Sequence, residues 1–156
     1  MRIVIGAVGR LKSGPERELA DDYSLRFTRI GRPLGLGPIE VREVDERKST
    51  TQDAQAAALE KFVSPSALVM ALDERGATWS SREFSEKLAL WRDTGREEVV
   101  CLIGGADGLH ASVRARADVS LSFGSMVWPH MLARVMLTEQ LYRAATILAG
   151  TPYHRD

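Results

Sequence analysis

The residues best suited to chemistry fall at three strand ends and in one tail. Gly104-Gly105-Ala106-Asp107-Gly108 directly follows the apolar run Val99-Val100-Cys101-Leu102-Ile103. Glycines at a strand end let a ligand approach the backbone, whose N–H groups can hold it; the plain alternative is a tight turn. The run is not the dinucleotide fingerprint, because Ile103 stands where its first glycine would be. No Gly-Lys-Ser/Thr follows, so it is not a phosphate-gripping P-loop either. Leu72-Asp73 ends a second apolar run, where Asp73 either accepts from a ligand or caps the turn. The loop Phe123-Gly124-Ser125-Met126-Val127-Trp128 ends a third. Three strand ends meeting at one rim make a pocket.

Further on, Glu139 and Arg143 are four residues apart with the acid first, the favourable order for a helix ion pair. The same pair could instead sit in a cleft at a subunit boundary. Tyr153-His154-Arg155 puts an aromatic ring, an imidazole and a guanidinium in succession, a set that can stack on a base and grip a phosphate. Against that stands the usual disorder of chain ends. His110, His130 and His154 lack helix-ligand spacing, so no metal site is expected, and His130 beside Pro129 reads as a helix-start residue. G-x-S-x-G is absent, and the single cysteine, Cys101, excludes an intramolecular disulfide and a cysteine-based zinc site.

Alternating strands and helices must position these groups. Arg2 to Val8 reads as the first strand, and Pro15 opens a helix carrying Leu19, Tyr23, Phe27 and Ile30 on one face. Gly31 to Pro38, rich in Gly and Pro, reads as a surface loop, and Ile39 to Val44 as a half-exposed strand. Thr50 or Thr51 caps a second helix with Ala54, Ala58, Leu59 and Phe62 inward. Ala67 to Leu72 is a buried strand that Asp73-Glu74-Arg75-Gly76 turns out of. Ser80-Ser81-Arg82-Glu83 is a capping box leading a helix with Phe84, Leu88 and Trp91 inward, closed by Gly95. The strand Val99 to Ile103, a short helix from Ser112 to Ala117 and the strand Val119 to Phe123 complete the series. The last helix, from Pro129, is apolar on nearly every side, so one face should pack on the sheet and another on a second subunit. The pattern predicts one three-layer α/β domain over residues 1–156 with a mostly parallel sheet.

With 156 residues, 44% of them hydrophobic, the chain can bury a sizeable core. Lys plus Arg and Asp plus Glu are 21 each, and zero net charge argues against a nonspecific nucleic-acid coat. No apolar run approaches membrane-spanning length and the N-terminus lacks a signal-peptide h-region, so a cytoplasmic location is expected, with no membrane partner.

Leu102-Ile103-Gly104-Gly105-Ala106-Asp107-Gly108, Leu121 to Phe123 with Trp128-Pro129-His130, Arg134, Glu139 to Ala144, and Pro152-Tyr153-His154-Arg155 together closely resemble the ribosomal RNA large subunit methyltransferase H family, the YbeA-like branch of the SPOUT methyltransferases. The resemblance covers the whole chain. It implies a C-terminal trefoil knot, a homodimer, and S-adenosylmethionine as cofactor. The implied reaction is methylation at N3 of a pseudouridine in 23S rRNA on the assembled ribosome, with no metal. It places cofactor binding at Leu72, Gly104 and the span Phe123, Gly124, Ser125, Met126, Val127, Trp128. It makes His154 or Glu139 the candidate base, has Tyr153 orient the target base, and has Arg143 and Arg155 hold phosphate or stabilise developing charge. Two other readings stay open: a knotted methyltransferase for another RNA nucleotide, and a non-catalytic ribosome-binding protein.

Overall fold

Period-two burial builds the sheet from within. In β1 (Arg2–Val8), Ile3, Ile5 and Ala7 pack into one apolar cluster, while Val4 and Val8 pack into another on the opposite face. The same alternation runs through β3 (Leu68–Thr78) and β4 (Glu98–Ile103), so both faces of these strands demand cover. In the computed structural model, which describes residues 1–155, that cover is supplied by helices on both sides. Helices α1 (Pro15–Gly31), α3 (Ser81–Asp93) and α5 (His130–Ala149) bury Phe27, Phe84, Leu88, Leu137 and Leu141 on one face. Helices α2 (Gln52–Glu60) and α4 (Ala111–Arg116) bury Leu59 and Val113 on the other. With β2 (Ile39–Val44) and β5 (Val119–Ser122), the strand order is β2-β1-β4-β3-β5. Every pairing is parallel, so the sheet is more uniform than the mostly parallel one expected. No helix of the described residues is long and apolar enough to cross a membrane.

The helix starts follow the sequence closely. Thr51 caps α2 by accepting from the Ala54 N–H, and Ser80 with Glu83 forms the full reciprocal capping box of α3. Gly95, at φ 83°, follows α3 where a left-handed residue is needed.

Four expectations are corrected. The chain does not leave the sheet at Asp73. Leu72 and Ala77 both stand opposite Leu121, so residues 73–76 form a bulge and β3 continues to Thr78. The Asp73 carboxylate accepts from the Arg75 N–H at 2.9 Å, which closes the bulge. The segment Gly31 to Pro38 is not a loose surface loop. It contains a single 3-10 turn, buries Leu36, and gives its Gly37 N–H to the Met1 carbonyl. In α2 the buried alanine is Ala56 rather than Ala54, and in α1 Leu19 lies exposed. Helix α5 packs against α1 and α3 of its own chain. The apolar remainder gathers at its first turn and the preceding loop, where Met131 and Leu132 are about 40% exposed and Val127 is 80% exposed.

One charge crosses this core. Arg134 of α5 is 1% exposed; it donates to the Gly9 carbonyl at 2.8 Å and to Glu43 of β2. Burial pulls its pKa down while Glu43 pushes it back up. Its Nε is the one buried side-chain polar atom without a partner among the described residues. Replacing Arg134 with Met, measured by urea unfolding, is expected to cost about 3–5 kcal/mol, because Glu43 is left without its counter-charge. Burial also pushes the Cys101 thiol up to about 12. Native protein should therefore stay unreactive toward a disulfide reagent at about pH 8 and react on unfolding.

Candidate active site

Parallel strands end together. The bulge of β3 and the carboxyl ends of β4 and β5 frame a cleft of about 290 Å³ at one edge of the sheet. Leu72, Ile103, Leu121, Phe123 and Trp128 form its apolar walls, and Asp73, Arg114 and His130 bring polar groups to it. Of the expected cofactor residues, Leu72, Gly104, Phe123, Gly124, Met126, Val127 and Trp128 all line this cleft; Ser125 does not. The loop is shaped at its start by Ser122, whose Oγ donates to the Gly124 carbonyl at 2.9 Å and accepts from its N–H at 3.2 Å. Beyond it, the backbone N–H groups of residues 125–128 have no hydrogen-bond partner among the described residues.

The glycines divide by role. A Cβ on Gly104 would stand 2.3 Å from the Gly108 carbonyl carbon, so the turn itself requires this glycine. Gly108 and Gly124 have positive φ and open space where a Cβ would point. These two, not Gly104, leave room beside the backbone for a ligand.

Asp73 and His130 acquire context that the sequence did not supply. The Asp73 carboxylate is 10% exposed and lies 3.6 Å from the Arg114 Nε. His130 is the first residue of α5, as its place beside Pro129 implied, yet it also lines the cleft. Arg114 was missed altogether, since α4 is too short to show a face by periodicity.

The tail is docked, against the expectation of disorder. Gly150 takes φ 68° after α5, and the Thr151 N–H donates to the Thr146 carbonyl at 3.0 Å, which turns the chain back along the helix. Tyr153 then packs on Tyr142, with ring centroids 4.6 Å apart, and beneath the Arg143 guanidinium at 4.9 Å. Its hydroxyl donates to Glu139 Oε1 at 3.0 Å, the oxygen that also accepts from Arg143 Nη2 at 2.5 Å. Arg143 Nη1 lies 3.4 Å from His154 Nδ1, and an arginine only donates, so that ring nitrogen accepts. Four of the five expected catalytic residues, Glu139, Arg143, Tyr153 and His154, thus form one network; Arg155 is exposed and outside it. Burial, then bonds to Tyr23 and Glu139, push the Tyr153 phenol well up, so it keeps its proton and acts as a donor. Glu139 pushes Arg143 up and secures its charge.

Glu139 also lines a second groove of about 670 Å³, with Tyr23, Trp79, Phe84 and Met136. The groove and the cleft share Leu121, Ser122, Phe123 and Gly124, so the start of the β5–α5 loop is a common wall. No group of three or more metal-ligating side chains gathers among the described residues.

A doubly covered parallel sheet with a ligand cleft at its carboxyl edge defines an α/β protein built to hold a nucleotide-sized molecule. The family model described as "Predicted SPOUT methyltransferase" matches residues 1–154, and the chain belongs to that family. It is 59% identical over 155 residues to a protein of Ruegeria pomeroyi named ribosomal RNA large subunit methyltransferase H, with 99% of both chains covered. A protein of the same name from Dinoroseobacter shibae is 60% identical, again over 99% of both chains. One from Roseobacter denitrificans is 57% identical over the full length of both. Among solved structures, a probable methylase family protein from Haemophilus influenzae aligns with TM-score 0.51 at 14% identity, over 99% of this chain and 70% of that one, a likeness of fold.

SPOUT methyltransferases use S-adenosylmethionine as methyl donor. The cleft fits it: apolar walls suit an adenine, the unbonded N–H groups of residues 126–128 suit its ring nitrogens, and the Asp73 carboxylate suits a cationic ligand. Replacing Gly104 with Ala should lower stability by about 1–3 kcal/mol in thermal unfolding. Calorimetric titration should show cofactor affinity falling with it, because the turn moves. A variant with wild-type stability and weakened binding would instead mean that the ligand touches this glycine.

Proposed function

We propose that the protein transfers a methyl group from S-adenosylmethionine to N3 of a pseudouridine in 23S rRNA on the assembled ribosome, in the cytoplasm. The observation that carries this reading is the docked network of Glu139, Arg143, Tyr153 and His154 beside a groove that shares a wall with the cofactor cleft. The full-length relatives named as rRNA methyltransferases support it.

When bound, S-adenosylmethionine supplies an electrophilic methyl carbon. The chain's own residues handle the other partner. The target nitrogen is an imide N–H and must lose its proton. His154 is the proposed base: its Nδ1 lone pair, directed at Arg143 here, takes that proton once the Arg143 contact opens. The Tyr153 hydroxyl, held protonated, orients the base, and the secured cation of Arg143 stabilises negative charge developing on the base carbonyls. Much of the rate should come from positioning.

The active unit is proposed to be a homodimer. Of Tyr153, His154, Arg143 and Glu139, none lines the cofactor cleft of its own chain, and Glu139 alone lines the neighbouring groove. The exposed apolar loop and first turn of α5, with Met126 69% and Val127 80% exposed, offer the surface on which a second copy would bring its tail to the cleft. The C-terminal third is also proposed to be threaded as a trefoil knot.

Incubation with ribosomes lacking the modification should yield a methylated pseudouridine by mass spectrometry. Cofactor binding without that product would refute the substrate assignment. Truncation after Gly150 should abolish methylation while leaving cofactor binding intact. It should cost only about 1 kcal/mol of stability, that of the Tyr153–Tyr142 ring contact. Tyr153→Phe keeps the ring and removes the donor, so kcat should fall by roughly tenfold or more with cofactor affinity unchanged.

A further inference from the structure

We infer that Lys12 of the β1–α1 loop and Arg47 and Lys48 of the β2–α2 loop form a docking surface for rRNA phosphates beside the cofactor cleft. The inference rests on the proposed rRNA substrate and says where that RNA lies.

The two loops belong to the site's edge by topology, because they follow the carboxyl ends of β1 and β2 in the same parallel sheet. They also touch the cleft. Gly9 packs against His130, whose Nε2 would lie 3.0 Å from a Cβ built there. Gln52, at the start of α2, donates to the Asp107 carbonyl of the β4–α4 turn at 3.0 Å.

Charge on these loops is segregated by direction. Glu43 and Asp45 are spent on internal work. Glu43 holds Arg134 and accepts from the Leu11 N–H at 2.9 Å. Asp45 accepts from the Arg47 N–H at 3.0 Å and lies 3.7 Å from Arg10. Glu46 reaches into the gap between Gly9 and Gly105, within 3.5 Å of a Cβ built on either. Lys12, Arg47 and Lys48 are exposed and make no ion pair among the described residues. Most arginines elsewhere, such as Arg17, Arg26, Arg42 and Arg92, have a carboxylate partner. The exposed acids at this edge are Glu46, whose carboxylate faces Gly9 and Gly105, Glu74, 3.8 Å from Arg75, Asp53, 3.3 Å from His110, and Asp107. A chain with zero net charge therefore turns a net cationic face outward next to its methyl-donor cleft, with Lys12, Arg47 and Lys48 on the two loops against the single exposed carboxylate of Glu46. Phosphate-rich RNA is the partner that such a face attracts and orients, and release of condensed counterions drives the contact. Unpaired arginines also occur at the opposite edge, at Arg29, Arg32 and Arg96, which supplies an internal control.

The test compares a Lys12→Glu/Arg47→Glu/Lys48→Glu variant with an Arg29→Glu/Arg32→Glu/Arg96→Glu variant, both against wild type. Two readouts use ribosomes lacking the modification: methyl transfer kinetics and co-sedimentation over a salt series. The first variant should raise KM for ribosomes by roughly tenfold or more, with kcat within about twofold. It should also flatten the salt dependence of binding by about two units of log–log slope. Its affinity for S-adenosylmethionine should equal wild type, and the second variant should match wild type throughout. Unchanged KM and slope in the first variant, or equal losses in both, would overturn the inference. If wild type transfers no methyl group, the substrate reading fails separately, and co-sedimentation still decides whether this face binds ribosomes.

Discussion

The position of α5 depends on one buried cation. Arg134 reaches from the second turn of the helix to the Gly9 carbonyl and to Glu43, and so joins α5, the β1–α1 loop and β2. A buried ion pair is weak evidence for stability, since desolvation offsets most of its attraction. It does specify register. Sliding α5 along the sheet by one turn would strand a guanidinium in an apolar core, while the leucines around it would repack at modest loss. His130 lies one turn before Arg134, and the loop that walls the cleft comes just ahead of His130. The geometry of the cofactor edge is therefore set by a contact between residues 91 positions apart.

The constraint that gathers the site is parallelism. Once every strand runs the same way, the bulge that follows Leu72 and the strand ends at Ile103 and Ser122 must share an edge, whatever the loops contain. This much was legible in the sequence, because apolar runs such as Val99 to Ile103 cannot belong to a half-solvated sheet. Caps were legible for the same local reason: Thr51, Ser80 with Glu83, and Gly95 act within a few residues of themselves. Features that depend on distant backbone were not. Asp73-Glu74-Arg75-Gly76 has the composition of a turn, and only the nearness of Ser120 and Leu121 to Gly76 makes it a bulge in a longer strand. Leu36 looks like a loop residue until the Met1 carbonyl fixes the next glycine.

Glycine is the clearest case of one signal with two causes. Gly104 carried both the turn reading and the ligand reading, and its immediate neighbour in space is backbone of its own turn. The room for a ligand lies instead at Gly108 and Gly124. The candidate residue was therefore placed correctly at the cleft for a reason that belongs to the turn. Composition cannot separate the two, because both demand the absence of a Cβ.

The tail brings the same economy to the proposed chemistry. Glu139 Oε1 accepts from Arg143 Nε and Nη2 and from the Tyr153 hydroxyl, and Oε2 accepts from Gln140 Nε2 at 2.7 Å. A carboxylate engaged on both oxygens serves as a hub that fixes its donors, and it has little lone-pair capacity left for an incoming proton. His154 differs. Its Nδ1 lies 3.4 Å from Arg143 Nη1, at the outer end of the network. Of the two rivals for the base, Glu139 is therefore the less suited, and its part in the proposed chemistry is to hold Arg143 and Tyr153 in place, which leaves the proton to the imidazole of His154 in that proposal.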